Sequence, residues 1–145
     1  MSARVNSPDQ RWLIPKAAQE ADVVEQVMGM LDRRGIFHAK TDSSRYFVDG
    51  QWRAPKINVA GWPDITAVLP DGRFLGIECK RKGEKARKSQ IWCAKTVRFN
   101  RAVYLVVDEV ESMEEELDRL VAESLQNVRI LEAHREKRGF NDQQN

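Results

Sequence analysis

The sequence predicts a single α/β domain with a mixed central sheet, an antiparallel hairpin plus a parallel crossover strand, flanked by helices. Three observations carry this. Two strand-like segments are joined by Pro70-Asp71-Gly72; a helix-length segment precedes the unbroken apolar run Ala102–Val107; and amphipathic stripes lie on either side of them. Strand, helix and strand in that order form a right-handed crossover with parallel strands. At 145 residues the chain suits one domain, expected over 15–133, with a flexible segment at 1–14 and a polar, loose tail at 134–145.

The first helix is expected from Pro15 to Arg34, since proline is tolerated in a first turn and Gly35 suits a left-handed stop. At ~100° per residue, Glu20, Val24, Val27 and Leu31 fall on one line, flanked by Val23, Met28 and Met30. Glu25 falls on the opposite face. A carboxylate on an apolar stripe is costly unless it is paired or binds a cation. The alternative is that Glu20 lies beyond the buried part and is solvated.

Ile36 to Lys40 suits a short strand, and Tyr46 to Arg53 a hairpin with Asp49-Gly50 as its type I′ turn. Arg45, Tyr46, Trp52, Arg53 and Lys56 interleave cations with aromatics, a pattern that can hold phosphates and stack on bases. An exposed hairpin with snorkelling side chains has the same pattern.

Strands are expected at Asp64–Leu69 and Arg73–Lys80, with Gly72 as the left-handed residue of a three-residue loop. A helix at Ala86–Phe99 leads to the Ala102–Val107 strand, whose apolar run predicts a central position buried on both faces. Ser112 with Glu115 matches a capping box for a helix lined by Met113, Leu117, Leu120, Val121 and Leu125. Val128 to Leu131 suits an edge strand.

Composition excludes several classes. Basic and acidic residues nearly balance, 24 against 22, so bulk charge does not indicate nucleic acid, and such a partner must be argued from where the charges sit. No run approaches the ~18 apolar residues of a membrane span. Residues 1–10 lack the apolar core of a secretion signal. Two cysteines without a CxxC argue against a disulfide scaffold, and two histidines against a His/Cys zinc site. A soluble, cytoplasmic protein is expected.

The chemistry gathers on the Pro70-Asp71-Gly72 hairpin. A three-residue loop pairs Leu69 with Arg73 and sets Asp64 across from Glu78. Opposed side chains have Cβ atoms ~5 Å apart, where like charges destabilise, so these two carboxylates need something positive between them. Lys80 shares the face of Glu78, and Gly76 leaves room beside the pair. Two carboxylates plus a backbone carbonyl form a hard-oxygen set suited to Mg2+. A divalent ion there would activate a phosphodiester and a water, while Lys80 would position the nucleophile or steady the phosphorane. The plain alternative is a surface hairpin with an ordinary Glu–Lys pair.

Gly61-Trp62-Pro63-Asp64, Ile77-Glu78-Cys79-Lys80 and Ser89-Gln90 together resemble the PD-(D/E)xK nuclease superfamily. The nearest branch is the VRR-NUC type, related to Holliday-junction resolvases and often phage-encoded. The likeness runs from about Glu20 to Val107. It implies a restriction-endonuclease-like core and a Mg2+- or Mn2+-dependent DNA endonuclease acting in the cytoplasm, in a host cell if phage-encoded, and suggests activity on branched DNA. RNA is not excluded. It further implies that Asp64 and Glu78 hold the metal with the Cys79 backbone carbonyl, and that Lys80 assists the nucleophile. The family's first-helix Glu lies about fifteen residues before a Gly, a spacing Glu20 has to Gly35 and Glu25 lacks. Gln90 matches the family's Gln. Arg81, Lys82, Lys85, Arg87 and Lys88 follow the catalytic strand and would guide the DNA backbone, or form a solvated loop. Trp92, Thr96 and Phe99 face away from Gln90, as packing under the C-terminal helix or as a homodimer contact. The rival function is a non-catalytic nucleic-acid-binding or adaptor module on the same fold.

Overall fold

The computed structural model describes residues 16–41, 46–53 and 59–142. Helix α1 (Lys16–Arg33) buries Val23, Val24, Val27, Met30 and Leu31, a three- and four-residue spacing that makes one apolar stripe. Its end is a Schellman motif. Ile36 N–H donates to Leu31 O at 3.0 Å and Gly35 N–H to Asp32 O at 3.0 Å, with Gly35 at φ 63°.

Strands β1 (Phe37–Lys40), β4 (Ile65–Val68), β5 (Phe74–Cys79) and β6 (Val103–Val107) form one sheet in the order β1-β4-β5-β6. The first two junctions are antiparallel and β5–β6 is parallel, so the expected mixed sheet is present. A separate hairpin, β2 (Tyr46–Val48) and β3 (Gln51–Arg53), turns through Asp49 and Gly50, both at positive φ as a type I′ turn requires. The β4–β5 register pairs Ile65 with Ile77 and Val68 with Phe74, the pairing that a loop of Pro70-Asp71-Gly72 dictates.

Alternation along the strands divides the interior. Ile65, Ala67, Leu75, Ile77 and Cys79 join α1 and α3 (Val110–Asp142) in the main core, to which α3 contributes Met113, Leu117 and Leu120. On the other face, α2 (Lys88–Phe99) sets Cys93, Ala94 and Val97 against Tyr104 of β6. β5 therefore lies between helices on both faces and is buried from Leu75 to Cys79.

Four expectations are corrected. β6 is an edge strand and not the centre, and Val106 is 42% exposed. Its apolar run reflects helices over its two faces, which says nothing about neighbours within the sheet. Ser112 lies inside the first turn of α3, donating to Glu109 O at 3.1 Å, and does not cap it. The strand expected at Val128–Leu131 and the loose tail expected from His134 are both helical, since α3 continues to Asp142. This stretch holds three Arg and two Glu with single Leu, Lys and Ala residues and no proline, so helix propensity is sustained even where little is buried. The flexible segment expected at 1–14 lies outside the described residues.

Asp71 fastens the β4–β5 loop to α3. Its carboxylate accepts from Asn127 Nδ2 at 2.9 Å and Arg73 Nε at 2.7 Å, and its N–H donates to the fully buried Ser124 Oγ at 2.8 Å. Burial alone would raise this carboxyl. Hydrogen bonds from Asn127, Arg73 and Ser124 outweigh it and hold the group below its ordinary value. A lowered carboxyl contributes stability above its unfolded pKa, about 4, and loses it as pH falls through the folded value. Asp71→Asn is expected to cost about 1–3 kcal/mol at neutral pH, with the gap to wild type closing as pH falls below about 4. Urea midpoints across that range check this; a gap that ignores pH would show that the carboxylate is not the anchor.

Candidate active site

The hairpin places the first acid. Asp64 lies one residue before β4, and its Oδ2 accepts the Cys79 N–H at 2.8 Å. Its own carbonyl accepts the Thr41 N–H at 2.7 Å, so its backbone is pinned as well. Across the hairpin, Glu78 is 4% exposed and its Oε1 accepts from Lys80 Nζ at 2.9 Å. The same oxygen accepts from Gln90 Nε2. Lys80 is 3% exposed, and its N–H donates to Val107 O at 2.7 Å, extending the β5–β6 ladder past the assigned strand.

Gln90 does two things at once. Its Oε1 accepts the Arg87 N–H at 2.7 Å, satisfying a free donor at the start of α2, while its Nε2 holds Glu78. An amide offers an acceptor and a donor on separate atoms of one side-chain tip, so Gln90 can make both bonds at once. A polar helix-start residue and a site residue are therefore the same residue here.

Burial pushes Glu78 up to about 6, and the nearby charges of Asp64 and Glu20 push the same way against the pull of Lys80. Asp64 is also raised by burial, against the Cys79 N–H, Lys80 and Lys40. Glu20, half-buried on α1, is raised by burial first and then by Glu84, whose side chain hydrogen-bonds it. Arg81 Nε, 2.9 Å from Glu84 Oε2, holds that second carboxylate low. The structure thus brings Asp64, Glu78, Lys80 and Gln90 together, with Glu20 within electrostatic reach.

Among the described residues, Asp64 Oδ1 and Glu78 Oε2 accept no hydrogen bond, so each acid keeps one oxygen for another partner. Also among the described residues, no three Asp, Glu, His or Cys side chains gather closely enough to hold a metal ion. The donor chemistry fits a Mg2+-class ion, which is bound through one or two carboxylates and keeps several waters. The Cys79 thiol is not part of this set. It faces the main core, where burial pushes it up to about 12.

Gly76 corrects a further expectation. Its missing side chain leaves no open room, because a Cβ there would lie 2.8 Å from the ring of the fully buried Pro63. Proline and glycine pack together so that the segment leading to Asp64 lies flat on β5. The other end of this segment is fixed by Tyr104, whose hydroxyl donates to Gly61 O at 3.0 Å.

The expected phosphate contacts divide. Arg45 and Lys56 lie outside the described residues. Arg53 is exposed on β3. Arg81 pairs with Glu84, and Lys82 Nζ lies 3.5 Å from Glu109. Lys85, Arg87 and Lys88 make no ion pair among the described residues, and Lys85, Arg87 and Lys88 are all exposed. Sequence reasoning missed Glu84 and Tyr104. Glu84 sits in a loop without periodicity, and the hydroxyl of Tyr104 is hidden in an apolar run.

No family model matches the chain, and no curated protein matches it.

Removing one member of a buried ion pair strands the other. Lys80→Ala is therefore expected to destabilise the fold by about 3–5 kcal/mol. Glu78→Gln combined with Lys80→Met should recover most of that loss, because no buried charge remains. Chemical denaturation of both variants measures the difference, and equal losses would show that the pair is not what burial makes it.

Proposed function

We propose that the chain is a divalent-metal-dependent endonuclease, of the PD-(D/E)xK kind and VRR-NUC type, that hydrolyses DNA phosphodiester bonds. The observation that carries this reading is the placing of Asp64 and Glu78 across one hairpin, with the Lys80 amine 2.9 Å from Glu78. Asp64, Glu78 and the Cys79 carbonyl would hold Mg2+ or Mn2+, which when bound supplies Lewis-acid activation of the phosphate and the attacking water.

The chain's own residues do the rest. Glu78 fixes the position of the Lys80 amine, which meets the negative charge that grows as water adds to phosphorus and the leaving oxygen departs. Gln90 holds the Glu78 oxygen and so the direction of the whole pair. Glu20, raised by burial and by Glu84, orients the water and accepts its hydrogen bond. Arg87 and Lys88, at the start of α2, contact the backbone of the DNA. Branched DNA as the preferred substrate and a homodimer belong to the same proposal. So does a cytoplasmic setting, which the two buried free cysteines suit. The only location finding is that no described helix is long and apolar enough to cross a membrane.

A second reading, a non-catalytic nucleic-acid-binding module on this fold, is favoured by one observation. Glu78 already has its own cation in Lys80, as a purely structural pair would. A calorimetric titration with Mn2+ separates the two, since only the nuclease requires divalent binding that weakens in Asp64→Ala.

The activity test is direct. Branched duplex, linear duplex, single-stranded DNA and RNA are incubated with purified protein, with and without Mn2+. Metal-dependent cleavage is expected, reduced at least about 100-fold by Asp64→Ala. No cleavage of any of the four, or full activity in that variant, sinks the proposal.

A further inference from the structure

Beyond Lys88 at its start, the outer face of α2 is not used by anything described so far. Along this helix Lys88, Trp92, Lys95 and Phe99 follow at intervals of four, three and four residues, so they form one stripe. The stripe lies opposite Gln90, Cys93, Ala94 and Val97, which pack inward. Trp92 is 59% exposed and Phe99 87%, and Lys88 and Lys95 are exposed too. The expectation that these aromatics pack under the C-terminal helix is not met, because α3 packs on the opposite face of the sheet.

Charge distinguishes this face from the others. From Lys85 to Arg101 the chain carries six cations and no acid. Elsewhere cations and acids are mixed: Arg33 pairs with Glu114, Arg34 with Asp118, and Arg119 with Glu116 and Glu123, and further along α3 Arg129, Arg135 and Arg138 share the helix with Glu132 and Glu136. Among the described residues Lys88, Lys95 and Arg101 have no carboxylate partner. A protein partner is a poor match, since lysine is depleted in protein interfaces while here it alternates with the aromatics. Uncompensated cations with interspersed aromatic faces match a polyanion whose bases are free to stack.

We propose that the outer face of α2 is a track for single-stranded nucleic acid, in which Lys88 and Lys95 take phosphates while Trp92 and Phe99 stack on unpaired bases. The inference rests on the nuclease reading and deepens it by naming the substrate class. The track begins in the same first turn of α2 whose inner face carries Gln90, so it is separated from the centre by the width of the helix, about 10 Å. Its two aromatics are about 10 Å apart along the helix, at 1.5 Å per residue. Intact duplex keeps its base faces inside its own stack, so the track selects a strand already unpaired next to the cleavage point.

The test measures binding apart from hydrolysis. Fluorescence anisotropy of a labelled oligo(dT), without divalent metal, is compared with that of a duplex of equal length. Trp92→Ala and Phe99→Ala should each weaken oligo(dT) binding about 10-fold, with duplex binding changed less than about 3-fold, and Trp92→Phe should retain most of the affinity. Lys88→Gln with Lys95→Gln should lower the salt slope for the single strand by about 1.4. Both aromatics are exposed, and thermal melts confirm that the variants fold. Alanine variants that bind oligo(dT) like wild type overturn the proposal. So does a wild type that does not bind it, or a sedimentation shift from dimer to monomer in Trp92→Ala, which would give the face to a second copy. Binding lost as expected while no substrate is cleaved would sink the nuclease reading and leave the track standing.

Discussion

A carboxylate buried on both sides by protein is the constraint around which the rest is arranged. Glu78 lies on the strand that has helices over both faces, and an isolated charge there would be intolerable. Two groups make it tolerable. Lys80 comes from the same strand face two residues on, and Gln90 comes from α2. The first supplies opposite charge and the second a neutral donor, so the lone pairs of one oxygen are satisfied while the other oxygen stays available. The balance is incomplete by charge count: Asp64, Glu78 and Glu20 share Lys80, and Lys40 acts on Asp64 alone. Such an excess is a cost to the empty fold, and its relief is what a divalent cation would contribute.

That arrangement demands close approach of α2 to the segment before Asp64, and two glycines permit it by different means. A Cβ on Gly61 would sit 2.2 Å from Ser89 O, within the backbone of the first turn of α2, and its φ of 80° is a second reason for glycine. Gly76 has no unusual dihedral and is needed only because the Pro63 ring occupies the space above it. With Tyr104 holding Gly61 O from below, the path into Asp64 is fixed at both ends. The acid is therefore placed by backbone packing, and its position does not depend on the strength of any one hydrogen bond.

Much of this was legible because it depended on local rules. A Pro-Asp-Gly loop determines the β4–β5 register, and the register determines which acids face each other. The spacing of Val24, Val27 and Leu31 puts Glu20 on the side of α1 that meets the sheet, and the same winding puts Gln90 inward on α2. What failed depended on neighbours not written in the local pattern. An apolar run cannot distinguish a strand flanked by strands from one covered by helices, so β6 was placed in the centre. The β-branched residues Val128 and Ile130 suggested a strand, although the charged helix formers around them carry α3 onward. Gly76 was read as a gap because its occupant, Pro63, comes from a segment with no periodicity. Glu84 was invisible for a similar reason: its partners Glu20 and Arg81 meet it only through the folding of a loop.

The polarity of α2 ties these features to charge. Its first turn reaches Glu78 through Gln90, so the positive end of the helix macrodipole lies one side chain from the buried acid. Free N–H groups at such an end favour anions. One anion there is already fixed, yet Arg87 and Lys88 add two further charges at the same end and no acid follows before Arg101. The potential therefore stays positive from the first turn along the outer face, while inside the site the acids make it negative. A nuclease of the proposed kind would hold a cation and a polyanion side by side, which calls for both signs in neighbouring elements. Placing the acids on the strand and the cations on the helix that crosses it allows this without letting them neutralise one another, except where Lys80 does so by design of the register.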